Sequence, residues 1–551
     1  MITKKEFEII KSKQKNYKVI SKCIVAMVLF SPLICLANNK FAHDVSYKLY
    51  KENENCIKVE ATFQGKSSNE YFFRFPPGVT KYDLSSPKPI SQEFTPIQNV
   101  LKVRYEPHQP IRLIYHYCNH NPIRHPDYPI IESDLIYFQP ANAFVFPEYA
   151  RDQKSKIHID LTSLPKEYSI ATSFNINNRD YIIHESLTNL ANSIIEAGKI
   201  KIDTVYIKEK PVHIVTNGSW PYFKKSPSNY IKKIIEVHRK FWNDYDFPIY
   251  TLFLIKQNEN SPQRILLGRH WYQSLSALLP EDKNALNPVT IMLSHEISHA
   301  WVPLKMSKTV ENDLAWFYEG FNDYYAFYNI YQNGLISKKD YIDNINKIVI
   351  RNYYFSPIAN SSKEEMQSYA FTRNDYRMFN QMKVHLLARM LRENADQKAN
   401  YDNAMNKLFE EYQKNNDKIL SAKDIDNAFI ENIGKEKWEQ TKKTIDSLEM
   451  LDFPEYILEP RAKMKMMKFD VPVCDFDAKH LINHSVLKDV AKDSPAYKAG
   501  LRSGQKVLDF NINFADPKKK FVFVIEVDGQ SKKIEYMPKT SKKWAPQYQL
   551  A

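Results

Sequence analysis

Glycine is scarce in this chain, with 11 residues in 551. Neither common glycine-rich phosphate cradle is present, which leaves a nucleotide-binding reading without support. Cysteine is scarcer still: there are five, and none has the spacing of a zinc ribbon or finger. Acidic residues are outnumbered 64 to 77 by lysine and arginine, for a formal net charge of +13. No zinc-finger or RNA-binding signature accompanies that excess. It reads as solvation, or as transient attraction to an anionic envelope, and no nucleic-acid partner is expected. Nor does any apolar run reach the ~20 residues that spanning a bilayer needs. What is there is the composition of a folded protein, with 43% hydrophobic, 13% aromatic and 26% charged residues. That length exceeds one hydrophobic core, so three or four domains are expected.

The N-terminus reads as a secretory signal peptide. Lys11, Lys13, Lys15, Lys18 and Lys22 lead into the apolar run 23–30, Ser31 and Pro32 interrupt it, and small Ala37 meets polar Asn38 and Asn39. Cleavage after Ala37 is expected, with the mature protein periplasmic or secreted. Ile34 before Cys35 is not the small residue that a lipid-attachment site needs. Residues 1–37 hold seven lysines and two glutamates, so their removal lowers the net charge to +8. The mature chain keeps Cys56, Cys118 and Cys474. Cys56 and Cys118 share the N-terminal region and fit one disulfide in an oxidising compartment.

Residues 45–50, 57–63, 102–105, 111–117 and 157–161 alternate or are rich in β-branched and aromatic residues, and Pro and Asn clusters separate them. They predict a β-sandwich-like N-terminal domain. Buried strands are expected at 212–215 and 250–255, a helix at 230–242, and mainly helices over 286–450. A Pro-containing linker at 453–461 precedes a compact segment of roughly 80 residues.

The chemistry concentrates in Asn287-Pro-Val-Thr-Ile-Met-Leu-Ser-His295-Glu-Ile-Ser-His299. Asn287 suits an N-cap and Pro288 the first helical position. On a helix, residues i and i+4 lie about 40° apart, so His295 and His299 can reach one metal ion. Glu296 projects to the same side without being a ligand, as the general base of this arrangement does. Downstream, Glu319 stands in the apolar run 314–326, where a carboxylate is costly to bury without a cation. Asp323, one turn later, is placed to accept the outer N–H of His295. Two histidines, a glutamate and an open position describe a catalytic site for one zinc per chain.

His295-Glu-Ile-Ser-His-Ala-Trp301 followed by Trp316-Phe-Tyr-Glu-Gly-Phe-Asn-Asp-Tyr-Tyr-Ala326 resembles the glycyl aminopeptidase family of gluzincin metallopeptidases. Phe138–Pro147 and His184–Gly198 resemble that family's stretches at the end of its β domain and at the start of its catalytic domain. The resemblance implies a multidomain α+β protein. Residues 38–185 would form the β domain, 186–335 a thermolysin-like zinc catalytic domain, 336–460 a helical domain and 465–545 a PDZ-like domain. In that last segment 485–490 is expected as a strand, 494–501 as a short helix and 503–510 as another strand. No clear carboxylate-binding loop precedes them, which leaves peptide binding and a structural cap both open.

Two departures from the family concern the substrate. The family's tyrosine, which hydrogen-bonds the tetrahedral intermediate, precedes a Lys-Gly pair. Here the comparable segment is Asp375–Met382, without that pair. Tyr376 is the candidate, Tyr369 stands behind it, and a strict alignment places Phe379 there. The family's Gly-Leu-Glu-His edge strand is Leu267-Gly-Arg-His270 here, without the Glu that would bind an α-amine. Arg269 would repel an ammonium if it pointed into the cleft, and Glu259 is the nearest substitute. The expected activity is peptide hydrolysis, aminopeptidase-like with altered amine recognition. An endopeptidase or carboxypeptidase-like hydrolase on the same scaffold, and a non-catalytic binding protein, are the alternatives.

Overall fold

Alternation builds the N-terminal part. In Val45–Lys51 the buried side chains are Val45, Tyr47 and Leu49, and in Ile111–Cys118 they are Ile111, Leu113, Tyr115 and Tyr117. The computed structural model describes residues 44–550 apart from 80, 85–86, 120–123, 150, 225, 248–249, 258–265, 307–313, 370–371, 394–397, 415–418, 459–460 and 528. Residues 1–37, read as a signal segment, and Glu259 lie outside the described residues.

A six-stranded sheet runs in the order Asp180–Ser186, Lys154–Asp160, Val45–Lys51, Cys56–Phe63, Ile111–Cys118 and Tyr82–Asp83. Its inner face packs on a four-stranded sheet of Phe146–Pro147, Glu70–Arg74, Val100–Arg104 and Ser91–Thr95 around a shared apolar core. Cys56 and Cys118 stand opposite each other on adjacent antiparallel strands and form a disulfide. Cys474 is a free thiol. A third sheet orders Ser169–Thr172, Ile195–Gly198, Leu135–Phe138 and Ile130–Ile131.

The next sheet has five strands in the order Lys201–Ile207, Lys210–Thr216, Tyr250–Lys256, Ser274–Leu279 and Leu267–Trp271. Both of its faces are covered. Leu252 and Leu254 join the core shared with the helices, while Phe253 and Ile255 pack with Ile130, Leu135 and Tyr137 of the third sheet. That is why Tyr250–Ile255 is buried at every position, Thr251 included. Leu267–Trp271 is the edge strand, antiparallel to Ser274–Leu279.

Helices Pro227–Phe241 and Leu286–Ser298 cover this sheet, Asn322–Gln332 packs on both of them, and Asn374–Glu393, Lys398–Lys414, Ala422–Ile433 and Lys435–Asp446 follow. Ser421 caps the third of these with a capping box to Asp424. Leu286–Ser298 starts earlier than Asn287 and Pro288 suggest. Asp282 closes a turn onto Asn284 and Ala285, so Ala285 is the N-cap and Asn287 is already helical.

In the C-terminal segment, Arg461–Pro472 pairs along its length with Thr540–Leu550, and Tyr456–Leu458 joins as a third strand. The stretch read as a linker therefore contains a strand. Val507–Asn511, Phe521–Val527 and Gln530–Tyr536 form a second sheet. Ser485–Val490 is not a strand: Ser485 and Asp489 have positive φ, and only Val486 bridges to Lys506. The expected short helix is present as Pro495–Lys498. Among the described residues no helix is long and apolar enough to cross a membrane.

Candidate metal centre

Two i,i+4 pairs on one helix divide its duties. Ser294 and Ser298 face the helix Asn322–Gln332, where Ser294 Oγ donates to the Ala326 carbonyl (2.9 Å) and Ser298 Oγ to Asn322 Oδ1 (2.5 Å). Small hydroxyls let the two helices approach and fasten them. His238 Nε2 donates to Ser294 Oγ from behind (2.8 Å). Burial first, and then the charge of His295, push this ring down to about 3, so it is neutral.

His295 and His299 face the other way, into a cleft of about 1080 Å³. Each Nδ1 is engaged. His295 Nδ1 donates to Asp323 Oδ1 and His299 Nδ1 to the Val302 carbonyl, both at 2.9 Å. These partners orient the rings and turn both Nε2 atoms into the cleft. The two Nε2 atoms are 3.0 Å apart, and Glu319 Oε2 lies 3.4 Å from one and 3.8 Å from the other. Ligand atoms about 2.0–2.1 Å from a tetrahedral zinc are separated by about 3.3 Å, so the donor set fits that ion. It is the only such cluster among the described residues.

Glu319 sits on a π-helical turn, Trp316–Phe321, that runs into Asn322–Gln332. Gly320 allows this turn to lie against the helix Asn374–Glu393, since a Cβ there would come within 2.3 Å of Val384 Cβ. Burial alone would raise the Glu319 pKa. The His295 hydrogen bond, the charges of His299 and His295, and then Arg377 bring it down to about 2. Asp323 is buried too, which opposes its charge, but hydrogen bonds from His295 and His385 hold it well below the usual carboxylate range. His385 Nδ1 donates to Asp323 Oδ2 at 2.8 Å, so one carboxylate orients two rings. For His295, burial works against protonation, and the hydrogen bonds to Asp323 and Glu319 outweigh it and raise the pKa of the metal-free ring.

Glu296 lies beside the edge strand. A Cβ on Gly268 would come within 2.3 Å of Glu296 Cγ, so this glycine makes room for the carboxylate between strand and helix. His270 Nδ1 donates to the Glu296 carbonyl (2.9 Å). Burial and then the His299 charge lower its pKa to about 3, leaving it neutral.

Tyr376 is not in the cleft. It is fully buried, and its hydroxyl donates to Asn483 Oδ1 (2.9 Å) and pairs with Ser361 Oγ (3.1 Å). The helix Asn374–Glu393 turns this side chain toward the C-terminal segment, so the expected oxyanion role is withdrawn. Tyr369 packs against it with ring centroids 5.2 Å apart, and Phe379 stacks on Tyr353. The residues of this helix start that do line the cleft are Arg373, Asn374, Arg377, Met378, Gln381 and Met382. Arg269 also differs from expectation. Its Nε donates to both Asp127 oxygens (2.9 and 3.0 Å), so its charge is compensated from the N-terminal part. Arg373, Arg377, Asp127, Gly268 and His385 were missed in the sequence, where no local pattern marks them.

The stretch 289–423, which holds all three converging side chains, matches the family model described as M61 glycyl aminopeptidase. Among solved structures, an aminopeptidase N family protein from Idiomarina loihiensis aligns over 91% of this chain and 98% of its own, with a TM-score of 0.63 at 14% identity. An M1 zinc metallopeptidase from Deinococcus radiodurans aligns over 75% of this chain and 95% of its own, with a TM-score of 0.47 at 14% identity. No curated protein matches the chain. The family match over the site and the shared aminopeptidase N-like, multidomain α+β fold support a gluzincin-type peptidase.

Proposed function

We propose that this chain is an exported zinc metallopeptidase that hydrolyses peptide bonds, aminopeptidase-like in its scaffold and altered in its amine recognition. One observation carries the reading: His295 Nε2, His299 Nε2 and Glu319 Oε2 converge within 3.0–3.8 Å, with both Nδ1 atoms already engaged elsewhere. These three side chains would hold the zinc. Bound there, zinc supplies Lewis acidity that polarises the scissile carbonyl and lowers the pKa of water to about 7. Glu296 accepts the proton of the attacking water and returns it to the leaving amine. Asp323 and the Val302 carbonyl keep the two imidazoles in the ligating tautomer. The Cys56–Cys118 disulfide supports export after loss of residues 1–37, because such bonds persist in oxidising compartments. The division at 185, 335 and 460, with a PDZ-like segment at 465–545, belongs to the same reading.

The test is a mature protein assayed on a peptide library with and without chelator, alongside its zinc content. The expected result is about one zinc per chain and turnover that chelation abolishes. Glu296→Gln should keep the metal and slow turnover by roughly 10²–10⁴-fold. Metal binding without turnover would leave a binding protein on this scaffold.

An endopeptidase reading has its own support. An aminopeptidase must neutralise the substrate's α-ammonium. The acidic residues that line the cleft, among those described, are Glu296, Glu319 and Asp323, all engaged at the centre, and Asp127 is taken by Arg269. Matched free and acetylated peptides separate the two. A hundredfold or greater kcat/KM preference for the free amine, about 2.7 kcal/mol, marks an aminopeptidase.

A further inference from the structure

Among the described residues three arginines line the cleft, and they differ in what neutralises them. Arg269 is paired with Asp127. Arg373 and Arg377 are not: among the described residues, no carboxylate forms an ion pair with either. Arg373 Nη2 donates to the Asn483 carbonyl (2.7 Å) and its Nη1 to Ser485 Oγ (3.1 Å). Arg377 Nη2 donates to Asn374 Oδ1 (2.8 Å). All these acceptors are neutral. They fix the direction of each guanidinium; Asp375 offsets part of the Arg373 charge and Glu319 part of the Arg377 charge without an ion pair, and most of the five N–H donors of each stay available.

The two arginines belong together. Arg377 N donates to the Arg373 carbonyl (3.3 Å), so they stand one helical turn apart on one side of the helix start. Both line the same cleft as His295, Glu296, His299 and Glu319, and Arg377 is near enough for its charge to act on Glu319. Two like charges one turn apart repel, and Asp375 between them in the chain offsets this only in part, without an ion pair to either. A planar carboxylate is the group that two guanidiniums bind in a forked geometry. Arg373 is anchored through Asn483 and Ser485, so the C-terminal segment helps to build this wall.

We infer that Arg373 and Arg377 form a carboxylate-binding subsite of the cleft, which selects peptides carrying a free carboxylate near the scissile bond. This rests on the peptidase reading and names its substrate class. The carboxylate has two sources, the C-terminus of a short peptide or an aspartate or glutamate side chain.

The zinc-loaded mature protein should be assayed on two matched pairs. One is a tripeptide as free acid and as C-terminal amide, and the other an amidated pentapeptide with Glu or Gln next to the cleaved bond. At least one pair should show a tenfold or greater preference in kcat/KM for the charged member, expressed mainly in KM. Arg373→Gln with Arg377→Gln should bring that ratio close to one while the zinc content stays unchanged, and Arg377→Lys should restore part of it. Should the double variant fold poorly, Arg377→Gln alone is compared at matched thermal stability. If no peptide is turned over, calorimetric binding of both pairs to the Glu296→Gln protein reads the subsite independently of the peptidase reading. Equal binding or turnover of charged and neutral members in both pairs overturns the inference.

Discussion

Two glutamates among the described residues, Glu196 fully buried and Glu319 half-buried at the cleft, are driven in opposite directions by their surroundings. Glu319 is brought down to about 2, because two histidines and Arg377 outweigh the cost of burial. Glu196, between the third sheet and the five-stranded sheet, is pushed up to about 8 by burial, against a single hydrogen bond from Asn217 (3.2 Å) and the charge of Arg124. Burial of a carboxylate therefore does not by itself point to function. The cluster of groups that prefer it charged does, and only Glu319 has one.

Replacing Glu319 gives the largest expected effect. Glu319→Gln removes the only anionic ligand, and zinc affinity, read by competition with a calibrated chelator, should fall by at least about 10³-fold with activity lost. Retained affinity would mean that the three side chains do not act as one site.

Glu196→Gln sharpens the other half of the comparison. Between about 4.5 and about 8 the folded protein holds a proton on Glu196 that the unfolded chain has lost, so raising the pH across this window destabilises the wild type. The variant lacks that loss. Its stability advantage in urea at pH 8 over pH 5 should be on the order of a few kcal/mol, with roughly 4–5 kcal/mol as the ceiling. A constant difference at both pH values would show that Glu196 is ionised in the fold.

Asp323 lies between these extremes, compensated by histidines but outside the ligand set. Asp323→Ala should weaken zinc binding by roughly 10–100-fold. His385→Phe, which leaves the bond between Asp323 and His295 in place, should weaken it less. An equal loss in both variants would make His385 as important to the centre as the carboxylate itself.

Tyr376→Phe gives the smallest effect. The lost hydroxyl bonds to Asn483 and Ser361 should cost about 1–2 kcal/mol of stability, while kcat stays within about twofold. A drop of roughly 10²–10³-fold would return it to the oxyanion role.

The sequence by itself brought out the cluster of His295, His299 and Glu319 that could hold a metal. The spacing of His295, Glu296 and His299 is local, and 3.6 residues per turn carry it directly into space. Glu319 was legible because an isolated carboxylate in an aromatic run needs a cation. The strands at 45–51, 56–63 and 111–118 were legible through alternation, and the disulfide through shared location in a segment read as exported. Tertiary structure decided the walls of the cleft. Whether Tyr376 or Arg377 faces the site depends on Asn483, more than 100 residues away, which takes the tyrosine hydroxyl. Whether Arg269 repels an ammonium depends on Asp127, 142 positions earlier in the chain. The space for Glu296 depends on Gly268 in a different element. Periodicity along one helix fixes which side chains share a face; which face meets the substrate is set by what the rest of the chain packs against it.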